Sequence, residues 1–307
     1  MKKRIGFILI IIGIVVGADL LVGAVTGKLI REVPDVGVNQ TNTAQALFAR
    51  TADILILGSS RANHSFDCKV IEDSLGMSCY NAGRDGQNMA YDAMVFFSYI
   101  ERHKPKMVVL DIASAMMDNS WFGALKDMNC YYGLSQPLDA IIDENTSFTD
   151  KIKLLSNLYK YNNTWQWLLK AYTGEDAGYL DGYRPMPVNA KSSFKVIKKE
   201  EHFKADDRCI HYLDDIKDHC KKNQIQLILT YTPSLVVATH GGVEEWTHEY
   251  AQSNQLPFYS YGQDSTYYMH PELFYDRTHL NAIGAKKFTM DFAHKIKNLE
   301  ERKKDHI

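Results

Sequence analysis

An open, largely parallel α/β/α sandwich of about five strands is the fold class that this chain predicts, and three observations carry it. Uninterrupted apolar runs at Asp53–Leu57, Met107–Ile112 and Ile225–Tyr231 have the composition of strands buried on both faces. The segments between them repeat apolar residues every three or four positions, as helices covering a sheet do. The first run also ends abruptly in Gly58-Ser59-Ser60-Arg61, a turn at a strand's carboxyl end.

In chain order, Lys2, Lys3 and Arg4 precede a segment from Ile5 to Val25 that is apolar apart from Asp19 and its glycines. About twenty such residues cross a bilayer as a helix, and a basic amino end stays cytoplasmic. Residues 1–25 therefore predict an uncleaved signal anchor with the rest of the chain extracytoplasmic; a cleaved signal peptide is the competing reading, since the Ile5–Ala18 run has the length of a signal-peptide core, but no clear Ala-x-Ala site follows. Asp19 opposes that reading, since a carboxylate in lipid is costly. Residues 26–51, mixed and polar around Asn39-Gln40-Thr41-Asn42-Thr43, read as a stalk.

The domain proper is expected over 52–300, with a polar tail at 301–307. Besides the three long runs, Ser78–Tyr80 and Pro257–Tyr259 are short strand candidates. Helices are expected at Met89–Arg102, Asp206–Lys222, Val243–Ser253 and Ala282–Leu299. Between the third strand and the fourth, about 113–205 form an insertion too long for a simple crossover. Its Lys151–Tyr172 stretch looks helical. Its aromatics (Trp121, Phe122, Tyr131, Tyr132, Tyr159, Tyr161, Trp165, Trp167, Tyr172, Tyr179 and Tyr183) suit either a lobe core or a platform for sugar rings.

With 35 basic and 37 acidic residues, the formal charge is −2, and no basic stripe tracks a phosphate backbone. Nucleic acid is not an expected partner. Five scattered cysteines lack CxxC spacing, so no metal cluster is expected, nor any cofactor. Cys68 and Cys79 flank a short helix and are read as buried thiols able to pair in an oxidising compartment.

The chemistry concentrates at two places. Ser59 and Ser60 lie at a strand's carboxyl end, where open parallel sheets bind ligands. Near the other terminus, Asp276-Arg277-Thr278-His279 spaces an acid and a base so that one tight turn presents both. A serine hydroxyl becomes a useful nucleophile when a histidine takes its proton and a carboxylate orients that histidine.

These spaced blocks resemble the SGNH, or GDSL-like, hydrolases. The resemblance implies Ser60 of Gly58-Ser59-Ser60 as nucleophile and Asp276 and His279 as its triad partners. It also implies that Asn81-Ala82-Gly83-Arg84-Asp85-Gly86 ends in an oxyanion-hole amide at Gly86, beside that of Ser60, with Gly83 as the fallback. The third block departs: Asp111-Ile112-Ala113-Ser114-Ala115 stands where the family has Gly-x-Asn-Asp, and no asparagine follows before Asn119. Ser114 and Arg61 are the candidates to contact substrate there.

Anchor, insertion and departure together look like the membrane-anchored SGNH-like proteins that move acyl groups on envelope polymers. The expected activity is hydrolysis of an acyl ester, O-acetyl foremost, on a cell-envelope glycan through an acyl-serine. Envelope-biosynthesis proteins are the expected partners. Acyl transfer to a polysaccharide and non-catalytic glycan binding on the same scaffold are the competing outcomes.

Overall fold

The computed structural model describes residues 2–36, 39–174, 181–188 and 194–304, without the side chains of 119–124 and 302–304. Five strands, β1 (Ile54–Gly58), β2 (Cys79–Asn81), β3 (Met107–Asp111), β4 (Gln226–Tyr231) and β5 (Phe258–Ser260), form one parallel sheet. Their spatial order, β2-β1-β3-β4-β5, is that of flavodoxin-like doubly wound folds. Each long strand lies within a residue of its predicted place.

Alternation along the strands builds two cores. Leu55, Leu57, Val108, Leu110, Leu227 and Leu229 point to one face, where they meet helix α5 (Met89–Ile100), the Asp207–Lys222 helix and the Val243–Ser253 helix. Ile54, Ile56, Met107, Val109 and Ile228 point to the other, against Phe66, Ile71, Phe288, Phe292 and Ile296. That second layer comprises α3 (Ser60–Ser65), α4 (Cys68–Leu75) and the last helix, Ala282–Lys304. Continuous apolar strands are thus required because both faces are covered. A two-stranded parallel ribbon, Ile197–Lys199 with Val236–Ala238, stands apart.

Three expectations need correction. The stalk is no stalk: helix α1 (Lys2–Arg31) runs on past residue 25, and α2 (Asn39–Phe48) buries Thr41 through Leu47 against α5. Its polar residues satisfy backbone groups rather than water. The Asn42 amide donates to Asn81 O at 3.2 Å and Gly83 O at 3.4 Å, and Gln45 donates to Val33 O at 2.5 Å.

The single helix expected over Lys151–Tyr172 is three pieces, Phe148–Leu154, Asn157–Lys160 and Thr164–Thr173. Ser147 and Ser156 cap the first two pieces, accepting from Asp150 N and Tyr159 N, and the third starts after Asn163 without a side-chain cap.

The aromatics divide as well. Tyr131, Tyr161 and Tyr183 are buried, and Tyr132 and Trp167 pack partly against the core. Tyr159, Trp165 and Tyr172 are exposed. Tyr179 and the side chains of Trp121 and Phe122 lie outside the described residues.

All five cysteines are free and buried, and the Cys68 and Cys79 sulfurs lie 2.9 Å apart.

Candidate active site

The turn that delivers Ser60 is held from three sides. Gly58 ends β1 at φ +139°, and a Cβ there would stand 2.7 Å from that of Ala62 and 3.0 Å from Asp111 O. Only glycine accepts both the dihedral and the crowding. The Gly58 amide donates to Asp92 Oδ1 on α5 at 2.8 Å, and its carbonyl accepts from Arg84 N at 3.0 Å. Ser59 occupies the cap position of α3 but makes no side-chain cap bond. Ser60 follows, half-buried, as the first helical residue.

The Asp276–His279 loop approaches from the other end of the chain. Asp276 Oδ1 accepts from the amides of Thr278 at 2.7 Å and His279 at 2.9 Å, so the turn is closed by the carboxylate itself. Its other oxygen lies 2.8 Å from His279 Nδ1, and His279 Nε2 lies 2.7 Å from Ser60 Oγ. Partial burial works against the charge on Asp276, yet the His279 hydrogen bond and the Thr278 and His279 amides hold its carboxyl well below the usual carboxylate range.

Two of the predicted blocks, 219 residues apart, therefore meet in one hydrogen-bonded chain of nucleophile, base and acid. This is the arrangement of Ser60, His279 and Asp276 that the sequence resemblance implies.

No family model matches the sequence, and no curated protein matches it. Among solved structures, the chain is similar to a proposed acylhydrolase from Bacteroides fragilis NCTC 9343, at 14% identity and TM-score 0.37 over 88% of this chain and 94% of that one. It is also similar to a GDSL-like lipase from Bacteroides thetaiotaomicron VPI-5482, at 11% identity and TM-score 0.35 over 79% and 88%. Likenesses this remote decide nothing about chemistry, which rests on the geometry.

Around Ser60, His279 and Asp276, the second block is braced against α3. Asn81 Nδ2 donates to Ala62 O at 2.8 Å and Phe66 O at 3.0 Å, while Asn63 Nδ2 donates to Gly83 O and Gly182 O, each at 2.9 Å. The Gly83 amide donates to Asn81 Oδ1 at 3.0 Å and is thereby committed. Gly86 is exposed at φ +69°, and among the described residues nothing accepts from its amide. Of the two glycines considered for an oxyanion amide, only Gly86 is open to a ligand.

Arg61 does not face a ligand. Its Nε donates to Thr232 Oγ1 at 2.8 Å, its Nη2 donates to Thr232 O, and the guanidinium lies 4.1 Å from the Tyr231 ring centroid. The reason is electrostatic: burial pushes the Asp111 carboxyl up, and the Arg61 charge with bonds from Thr230 and Thr232 offsets part of that cost. Ser114 opens the turn Ser114–Met117 just past β3 and is exposed.

A second histidine stands beside the site. His64, four residues after Ser60 and fully buried, sets its ring edge-on to His279 at 5.5 Å. Its Nδ1 lies 2.8 Å from Arg184 O, and its Nε2 lies 3.1 Å from Asp85 Oδ1 without hydrogen-bond alignment. The i, i+4 spacing of Ser60 and His64 was the available signal.

A cavity of about 550 Å³ lined by residues including His240, Glu244, His248 and Phe258 lies at the β5 edge and includes none of the triad.

Proposed function

We propose that this chain is a serine esterase acting through an acyl-serine intermediate. The hydrogen-bonded chain Ser60 Oγ–His279 Nε2 at 2.7 Å and His279 Nδ1–Asp276 Oδ2 at 2.8 Å carries the reading. His279 takes the Ser60 proton as Oγ attacks the ester carbonyl carbon, and Asp276 holds the imidazole with its Nδ1–H outward to the carboxylate. The Ser60 and Gly86 amides receive the oxyanion. The alkoxide leaves with the proton from His279, and water, deprotonated by the same base, releases the acid from Ser60.

For substrate we assign a small acyl ester, O-acetyl foremost, on an extracytoplasmic carbohydrate of the cell envelope. Support comes from the amino terminus: Lys2, Lys3 and Arg4 precede a helix long and apolar enough to cross a membrane, which favours a domain on the far side.

A fluorophosphonate probe applied to the full chain in detergent tests the chemistry. Labelling is expected in the unmodified chain and in Ser59→Ala, and none in Ser60→Ala. An unmodified chain that takes no label would remove the activated serine.

A further inference from the structure

The inserted lobe carries an apolar surface that its own fold does not use. Among the described residues outside α1, thirteen large apolar side chains are exposed, and eight of them lie between 148 and 172. They are ordered. Phe148, Ile152 and Leu155 follow one another at i, i+4 and i+7, as do Trp165, Leu169 and Tyr172. Leu154, Leu168 and Ala171 on the same helices are buried, so both helical segments are apolar toward the interior and toward the outside as well.

The same lobe is fastened to α1. Asp19, the carboxylate that looked out of place in a membrane segment, accepts from Ser156 Oγ at 2.8 Å, Asn157 N at 3.1 Å, Asn157 Nδ2 at 3.0 Å and Leu158 N at 2.9 Å. It caps the amino end of the Asn157–Lys160 helix. One turn on, Gly23 lets the helices close, since a Cβ there would fall 2.6 Å from the Asn157 side chain. Thr26, Gly27 and Ile30 continue that face into the buried interior, while Leu20, Leu21 and Val25 remain exposed on the other.

Depth follows from helix geometry. Ile5 to Asp19 rises about 21 Å at ~1.5 Å per residue, whereas the hydrocarbon is about 30 Å thick. If the helix enters the bilayer at Ile5, Asp19 and the lobe residues bonded to it lie short of the outer edge.

We propose that the lobe face of Phe148, Ile152, Leu155, Leu158, Trp165 and Leu169 is seated in the outer leaflet of the bilayer that α1 crosses. The occupant of this surface is lipid, because the surface is continuous with the exposed apolar side of α1. Asp19 is thereby shielded by lobe hydrogen bonds from the acyl chains, which removes the cost that a bare carboxylate would carry there. The proposal rests on the membrane-anchor reading above.

Spin labels on Leu155→Cys, Leu169→Cys, Ile10→Cys and Met269→Cys, each in the full chain reconstituted in phosphatidylcholine–phosphatidylglycerol nanodiscs, test it by relaxation with oxygen and a water-soluble nickel chelate. The expected result is oxygen-dominated relaxation at 155, 169 and 10 and nickel-dominated relaxation at 269. Nickel-dominated relaxation at 155 and 169 with oxygen-dominated relaxation at 10 overturns the lobe proposal and leaves the anchor standing. Low access to both reagents at 155 and 169 also overturns it, pointing to a protein partner or second copy. A nickel-accessible residue 10 removes anchor and proposal together.

Discussion

His279 is engaged at both ring nitrogens, by Asp276 on one side and Ser60 on the other. Asp276→Asn keeps the shape of the loop acceptor but offers an amide where a carboxylate must fix the imidazole tautomer. Esterase kcat/KM is expected to fall by up to about four orders of magnitude while the chain still melts cooperatively, measurable with a p-nitrophenyl ester and a melting curve on the same sample. Equal activity in both proteins would detach Asp276 from the chemistry. At this scale the meeting of Ser60, His279 and Asp276 was legible because the acid and base share one short turn and the serine closes an apolar strand. The fate of Arg61 was hidden, since its partner Thr232 is 171 residues away and only the folded sheet brings a buried Asp111 beside it. His64 was hidden for a similar reason: its contacts, Asp85 and Arg184, come from separate loops.

Elements were read well wherever burial on two faces forces an uninterrupted apolar run, which is why β1, β3 and β4 were placed almost to the residue. α2 was misread because Thr, Asn and Gln look solvated until the backbone groups they serve are known. α5 shows how elements are tied through buried polar groups: Asp92 on this helix receives the Gly58 amide at 2.8 Å at the end of β1. Burial raises the Asp92 carboxyl well above its ordinary value; the Gly58 bond opposes the shift, and the Asp111 charge adds to it. A raised pKa gives stability that is complete below the unfolded-chain value of about 3.9 and declines as pH rises, because only the unfolded chain ionises there. Asp92→Asn keeps the acceptor and lacks that proton. Its melting temperature is expected to fall less than the parent's between about pH 5 and pH 8, and parallel curves would show that Asp92 does not titrate on unfolding.

For the whole molecule, the amino-terminal helices are structural parts of the domain. A chain beginning at Val25 keeps Thr26, Gly27, Ile30 and α2 and is expected to fold cooperatively in mild detergent. One beginning at Thr51 strips the cover from α5 and is expected to elute as aggregate in size-exclusion chromatography. A monodisperse, cooperatively melting Thr51 chain would mean that α2 is dispensable. The sequence foresaw the layers, because strand and helix periodicity is local, and missed this docking, because it depends on where distant backbone needs partners. The return of the insertion carries a further meaning. β2 is an outer strand, and its Asn81 amide is met by Asp181 O at 2.9 Å, with Gly182 so near Asn81 O that a Cβ would stand 1.9 Å away. Residues made long after β2 thus close its free edge. Before that return is made the edge is open, and open strand edges pair with neighbouring chains. The return of the lobe is thus also a cover for that edge, put in place only once the insertion has folded back.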